Sequence, residues 1–139
     1  MPFLTDLVIT PIAGPNYRVV KDLVYRDNDG THITVKAGFV SDGESGPEWF
    51  KDMFIEDNGY RQWAAFLHDA VYQAGLSRLW CDQLYMRALQ SLNIRADDAQ
   101  QLYQAVRLFG GNAYELDQDD VEKARHALSH LTIILPEKT

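Results

Sequence analysis

Four side chains in the middle of this sequence have the types and the spacing for proton-transfer chemistry. At 100° per residue, His68, Asp69 and Tyr72 fall together on a helix face with the small Ala65 among them. Asp82 sits on the next helical stretch, between Tyr85, Leu89 and Met86, where a carboxylate is half-buried and needs a partner. Gly75 and Leu76 centre the connection, so positions equidistant from the turn come side by side and Asp82 lands opposite roughly Asp69 and His68. One carboxylate then accepts from both the His68 imidazole and the Tyr72 hydroxyl. A histidine held this way is fixed in tautomer and made more basic, which suits it to activate water. Asp69 would point elsewhere, toward Asp42 and Glu44 of the loop Ser41–Pro47, where several oxygens suit calcium or another hard divalent cation. The same groups have a plainer reading. The His-Asp-Tyr set would lock the register of two packed helices by buried hydrogen bonds, and Asp42, Glu44 and Ser45 would be ordinary turn residues between Gly43 and Gly46.

Other chemistry-bearing residues form weaker patterns. His126 and His130 have the i, i+4 spacing of two zinc ligands, but Ala127 follows His126 where a metalloprotease carries its general-base Glu, so this pair is expected to be solvated on an acidic terminal helix. Cys81 lies at the middle of an apolar arc and reads as a core residue, since a reactive thiolate needs an exposed, electropositive setting. No Gly-rich phosphate loop, nucleophile elbow or paired CxxC is present.

The elements that must position these residues divide the chain in two. Over about the first forty residues the apolar pattern has a period of two. Leu7-Val8-Ile9, stopped by Pro11, Gly14 and Pro15, predicts a short edge strand. Tyr17 to Tyr25 alternates, Asp27-Asn28-Asp29-Gly30 turns the chain, and Ile33, Val35, Ala37 and Phe39 resume the alternation as a hairpin. The turn after Pro47 carries Trp49 and Phe50, and from there the period becomes 3.6. A first helix from about Tyr60 to Ala74 turns Trp63, Phe66, Leu67, Ala70, Val71 and Ala74 inward, and Gly75 ends it. Ser77 caps a second, whose arc is Cys81, Leu84, Tyr85, Ala88, Leu89 and Leu92. Asp97-Asp98 open a third with Leu102, Val106 and Phe109, closed by Gly110-Gly111. A fourth starts near Asp117, with Val121, Ala124, Leu128 and Leu131 inward, and Ile133-Ile134-Leu135 is either a last strand or a packed tail. The expected fold class is α+β, a small N-terminal antiparallel β-meander (about 1–40) packed against three to four helices (about 47–131), with a tail from 132 to 139, all in one domain.

Composition narrows the function classes. The 139 residues are 46% hydrophobic and 24% charged, a globular profile. Twenty acidic against thirteen basic residues give a net charge of −7, which disfavours nucleic acid as a partner. A single cysteine makes no internal disulfide and points to a reducing compartment. No apolar run reaches the roughly 18–20 residues of a membrane span, and Met1-Pro2-Phe3-Leu4-Thr5-Asp6 has no basic signal region.

Several blocks occur together in order. Gly38-Phe39-Val40-Ser41-Asp42-Gly43-Glu44-Ser45-Gly46-Pro47, Ala64-Ala65-Phe66-Leu67-His68-Asp69-Ala70-Val71-Tyr72, Ser77-Arg78 with Cys81-Asp82, and Val106-Arg107-Leu108-Phe109-Gly110-Gly111 resemble the bacteriophage and prophage family numbered 1353 among the domains of unknown function. That resemblance implies a phage context, with no reaction attached. The His-Asp-x-x-Tyr helix followed by Cys-Asp is also similar in pattern to the secreted phospholipases A2. By that similarity His68 would activate water, Asp69 would hold calcium, Asp82 would orient His68 and Tyr72 would support Asp82, although the chain lacks that family's disulfides and calcium loop.

Two functions follow as expectations. The favoured one is a non-enzymatic virion component of a phage tail or baseplate, made in the bacterial host cytoplasm and held by other phage structural proteins, with the hairpin sheet and the aromatics Trp49 and Phe50 as docking surfaces. The other is a small hydrolase of an ester, amide or cell-envelope bond, with His68 as general base and a divalent cation as an optional helper.

Overall fold

The computed structural model describes residues 2–14, 16–41 and 59–136. Within them the fold is α+β, with six short strands in two antiparallel sheets and four helices. The strands are β1 (Ile9–Pro11), β2 (Tyr17–Val19), β3 (Leu23–Arg26), β4 (His32–Val35), β5 (Val40–Ser41) and β6 (Leu131–Ile134). The helices are α1 (Arg61–Gln73), α2 (Arg78–Ser91), α3 (Ala96–Asp119) and α4 (Val121–Ser129). Of the expected loop Ser41–Pro47, Ser41 belongs to β5, while Asp42–Pro47 and the aromatics Trp49 and Phe50 lie outside the described residues.

The alternation from Tyr17 to Tyr25 predicts one continuous strand, but the chain breaks it at Val20-Lys21-Asp22 and places the halves in different sheets. The first sheet has the order β1-β2-β5 and the second β3-β4-β6. Asp22 accounts for the break: its carboxylate accepts the Ala37 N–H at 2.8 Å and its carbonyl accepts the Thr5 hydroxyl, so it ties two turns together and does not extend a ladder. Val19, Leu23 and Tyr25 are buried while Lys21 is exposed, so the period of two survives the change of sheet except at the charge.

The β3–β4 turn forms as its residues demand. Gly30 takes a φ of +92°, Asp27 Oδ1 accepts the Asn28 N–H, and Asp29 Oδ1 accepts the Thr31 N–H. Arg87 of α2 then grips the Asp27 carboxylate with two bonds of 2.8 Å, joining the turn to the helical layer. Of the two alternatives for Ile133-Ile134-Leu135 the strand forms: β6 pairs along the whole of β4, from His32 opposite Ile134 to Val35 opposite Leu131.

The core lies between the sheets and the α1–α2 hairpin. Leu23, Ile33, Val35 and Phe39 from the sheets meet Phe66, Leu67, Val71, Leu84 and Leu89 from the helices, all fully buried. Each such side chain contributes about 1.5–3 kcal/mol of transfer free energy. Gly75 (φ +85°) closes α1, and the Ser77 hydroxyl accepts the Trp80 N–H to cap α2. No described helix is long and apolar enough to cross a membrane.

Two helix expectations need correction. Gly110-Gly111 do not close the third helix, since α3 runs through them to Asp119. The fourth begins at Val121 with Asp120 as its cap, its carboxylate accepting the Lys123 N–H. Its inner face is also different: Ala127 is fully buried, while Val121 is 60% and Leu128 58% exposed. A short helix against sheet and hairpin approaches closest where the side chain is smallest, so Ala127 and not the leucine faces in.

Candidate functional site

The site is the α1–α2 hairpin closed by the middle of α3. His68 and Tyr72 stand one turn apart on α1, with ring centroids 4.0 Å apart, and Asp82 stands opposite them on α2. The antiparallel return at Gly75-Leu76 brings the three together, as the spacing predicts. His68 Nε2 lies 2.8 Å from Asp82 Oδ1, and the Tyr72 hydroxyl donates to the same oxygen.

Asp82 is more deeply placed than the sequence indicates, being fully buried. A lone carboxylate there would not stay ionised. Two arginines that sequence reasoning missed resolve this. Arg107 of α3 donates from Nη1 to Asp82 Oδ2 at 2.7 Å, and Arg78, one turn before Asp82, has its Nε 3.9 Å from the same oxygen. Arg78 Nη2 also donates to the Val106 and Arg107 carbonyls, at 3.0 and 2.6 Å, fixing α3 in place. Their signal in the sequence was the linked pair of blocks Ser77-Arg78 and Val106-Arg107, but no helical periodicity says which face of α3 meets the hairpin.

The two glycines explain the close approach. A Cβ on Gly110 would stand 3.1 Å from the Tyr72 hydroxyl, and one on Gly111 would stand 3.7 Å from the Arg78 guanidinium carbon. Gly-Gly is therefore a seat for Tyr72 and Arg78, not a stop signal. Tyr114, one turn further on, meets the Tyr72 ring edge-on at 5.2 Å and donates to the Leu76 carbonyl at 2.9 Å, pinning α3 to the hairpin turn.

These contacts settle where the protons lie. Burial alone would raise the Asp82 pKa, but the bonds from His68, Tyr72 and Arg107 outweigh it and hold the carboxyl below its ordinary range. Burial first, and then donation to the Asp82 charge, push the Tyr72 phenol well above its ordinary value, so it stays a donor. The bond to Asp82 raises Arg107, which stays charged. An ionised carboxylate only accepts, so His68 Nε2 carries a proton and, in the neutral ring, Nδ1 carries the lone pair. The His68 side chain keeps 12% of its surface exposed and also touches the Tyr85 ring, with centroids 4.8 Å apart.

Asp69 does not join this cluster. Its Oδ2 accepts from Gln73 Nε2 at 2.8 Å, one turn along the same helix. The other expected cation ligands, Asp42 and Glu44, lie outside the described residues, and among the described residues no group of three or more His, Cys, Asp or Glu side chains could hold a metal. Of the three expected cation ligands the described residues hold Asp69 alone, so the chemistry is not routed through a cation. Cys81 is core as expected: burial, and then the Asp82 charge, push its thiol up to about 12. His126 and His130 are not solvated as expected but half-buried between α4 and the first sheet.

Fold and site together define an α+β protein with an ionised carboxylate sealed inside a helical hairpin and a histidine hung from it. The family described as "Protein of unknown function (DUF1353)" matches residues 17–106, and the chain belongs to that family. The matched segment runs from β2 to within one residue of Arg107, and so contains His68, Asp69, Tyr72, Arg78 and Asp82. No curated protein and no solved structure matches the chain.

Proposed function

We propose that the chain is a small hydrolase of an ester, amide or cell-envelope bond, with His68 as its general base. The observation that carries this reading is the buried, ionised Asp82 bonded to His68 Nε2, which fixes the tautomer of the ring and stabilises its imidazolium. In the proposed step a water gives its proton to His68 Nδ1 while its oxygen attacks the substrate carbonyl carbon. The imidazolium, stabilised by Asp82, then returns the proton to the leaving oxygen or nitrogen as the bond to carbon breaks. Tyr72 and Arg107 are positioning residues, since they hold Asp82 and not the reacting atoms. The pattern similarity to secreted phospholipases A2 supports the same assignment for His68, Asp82 and Tyr72; it supports a calcium role for Asp69 only if Asp42 or Glu44 completes the set.

A panel of chromogenic esters and amides, together with bacterial cell-envelope preparations, tests the reading. Wild type should turn over at least one, and His68→Ala should lower the rate by about 10²–10⁴-fold, the usual worth of a positioned base, read at a temperature where circular dichroism shows both proteins folded, since the variant also loses the bond to Asp82. Equal rates for the two proteins, or no turnover on any substrate, would overturn it.

A place in the virion, as a tail or baseplate component among other phage structural proteins, is a second and compatible proposal. Its support is the resemblance to phage and prophage proteins, together with the apolar Ile134 and Leu135, 61% and 73% exposed at the end of β6. Mass spectrometry of purified particles should find the chain at stoichiometric level; its absence would remove this second reading and leave the first untouched.

A further inference from the structure

His126 ties the last helix to the first sheet through a bond that only one of its protonation states can make. Its Nε2 lies 3.0 Å from the Val40 N–H, which donates to it. A backbone N–H cannot accept, so Nε2 must hold a lone pair and the proton of the neutral ring sits on Nδ1. The ring lies nearly parallel to that of the fully buried Phe39, 5.6 Å away and tilted by 19°, which fixes its plane. His130 backs it, with ring centroids 4.4 Å apart and its Nδ1 2.7 Å from the His126 carbonyl. The far edge of His130 rests on Gly38, where a Cβ would come within 3.0 Å of Nε2, so the pair cannot swing toward the sheet.

The joint borders a cleft of about 410 Å³ between β5 and the start of α4. Of its lining, Asp120, Glu122 and Lys123 carry charge, while Ser41 from β5, Asn16 from the turn before β2 and Gln73 from α1 do not. Glu122 is paired with Arg125, and Asp120 is occupied in part by the helix cap. Beyond these, His130 is the titratable group in contact with the ring among the described residues.

We propose that His126 is an acid-released latch: neutral, it holds α4 to β5, and protonated at Nε2 it lets go of Val40 and the cleft between the two elements opens. On protonation the acceptor becomes a donor aimed at a donor, so the bond is lost and the contact turns repulsive. Burial and then the neighbouring His130 hold the His126 pKa below its ordinary value, so the release falls on the acid side of about 6.5. The latch is independent of His68, which lies on the α1–α2 hairpin and outside the cleft lining.

Nitrogen-15 NMR of the whole protein tests this in the wild type and needs no variant. Near neutral pH the His126 ring should show protonated Nδ1 and bare Nε2. On acidification the Val40 amide should shift with the midpoint of His126, and its hydrogen exchange, corrected for the intrinsic effect of pH, should quicken by at least about 10-fold, the loss of roughly 1.4 kcal/mol of protection. His126→Gln, whose amide oxygen accepts at all pH values, should keep Val40 protected and abolish the transition, and His130→Ala should move the midpoint upward. A protonated Nε2 at neutral pH, a Val40 amide that ignores the His126 titration, or an unchanged transition in His126→Gln would each overturn the proposal.

Discussion

Replacing Asp82 by Asn removes one charge and changes almost no volume, so its effect isolates the electrostatics of the site. In the wild type the carboxylate accepts from His68 at 2.8 Å, from Arg107 at 2.7 Å and from Tyr72, with Arg78 Nε 3.9 Å away. An asparagine offers one acceptor and one NH2: with its NH2 toward Arg107 donor meets donor, and with its oxygen there the NH2 faces His68 Nε2 and the Tyr72 hydroxyl, which must turn from donor to acceptor, while both arginines lose the opposite charge. Breaking a buried pair by removing one partner costs about 3–5 kcal/mol. The Arg107 and Arg78 side chains are 34% and 27% exposed and regain water, which argues for the lower end. We expect a loss of about 3 kcal/mol near pH 7, or on the order of 10 °C in Tm for a domain of this size.

The pH dependence separates this cause from mere misfit. Asp82 titrates below its ordinary value in the folded chain, so at neutral pH it is ionised in both folded and unfolded states and its stabilisation is complete. Below about 3.9 the unfolded chain binds the proton first, and the contribution is lost as the pH falls toward and through the folded value. Urea unfolding followed by tryptophan fluorescence at several pH values should therefore show wild type and Asp82→Asn converging only in that acid range. A difference under about 1 kcal/mol at neutral pH, or one that stays constant down to about pH 3, would refute the reasoning.

The glycine seat and the buried thiol give two further tests. Gly110→Ala should destabilise despite the helix-propensity gain of about 1 kcal/mol, because Tyr72 is held by Asp82 and Tyr114 and cannot retreat from a Cβ at 3.1 Å. Gly111→Ala, whose nearest contact is 3.7 Å, should instead stabilise by about 1 kcal/mol; equal urea midpoints for the two variants would show that the seat does not matter. Cys81, buried and with its thiol pushed up to about 12, should resist iodoacetamide at about pH 8 in the folded protein and react readily in urea; rapid native labelling would contradict its placement.

Short-range backbone geometry made the centre of the site and the hairpin turn legible in the residues alone. Helical spacing put His68 and Tyr72 one turn apart, a glycine-centred turn set Asp82 opposite them, and Asp27-Asn28-Asp29-Gly30 made the hairpin turn, because each of these follows from backbone geometry within a few residues. What the tertiary structure decided lies between elements far apart in the chain. Which face of α3 meets the hairpin chose Arg107 as the counter-ion and turned Gly110-Gly111 from an apparent helix end into a packing seat. The approach of α4 to β5 made His126 an acceptor for Val40, where local pattern gave only a solvated pair. Asp22, bonding across to Ala37, divided an alternating run between two sheets. A charged or small residue carries no periodic signal of its own, so its partner is fixed only when burial of the apolar faces brings the two surfaces into contact.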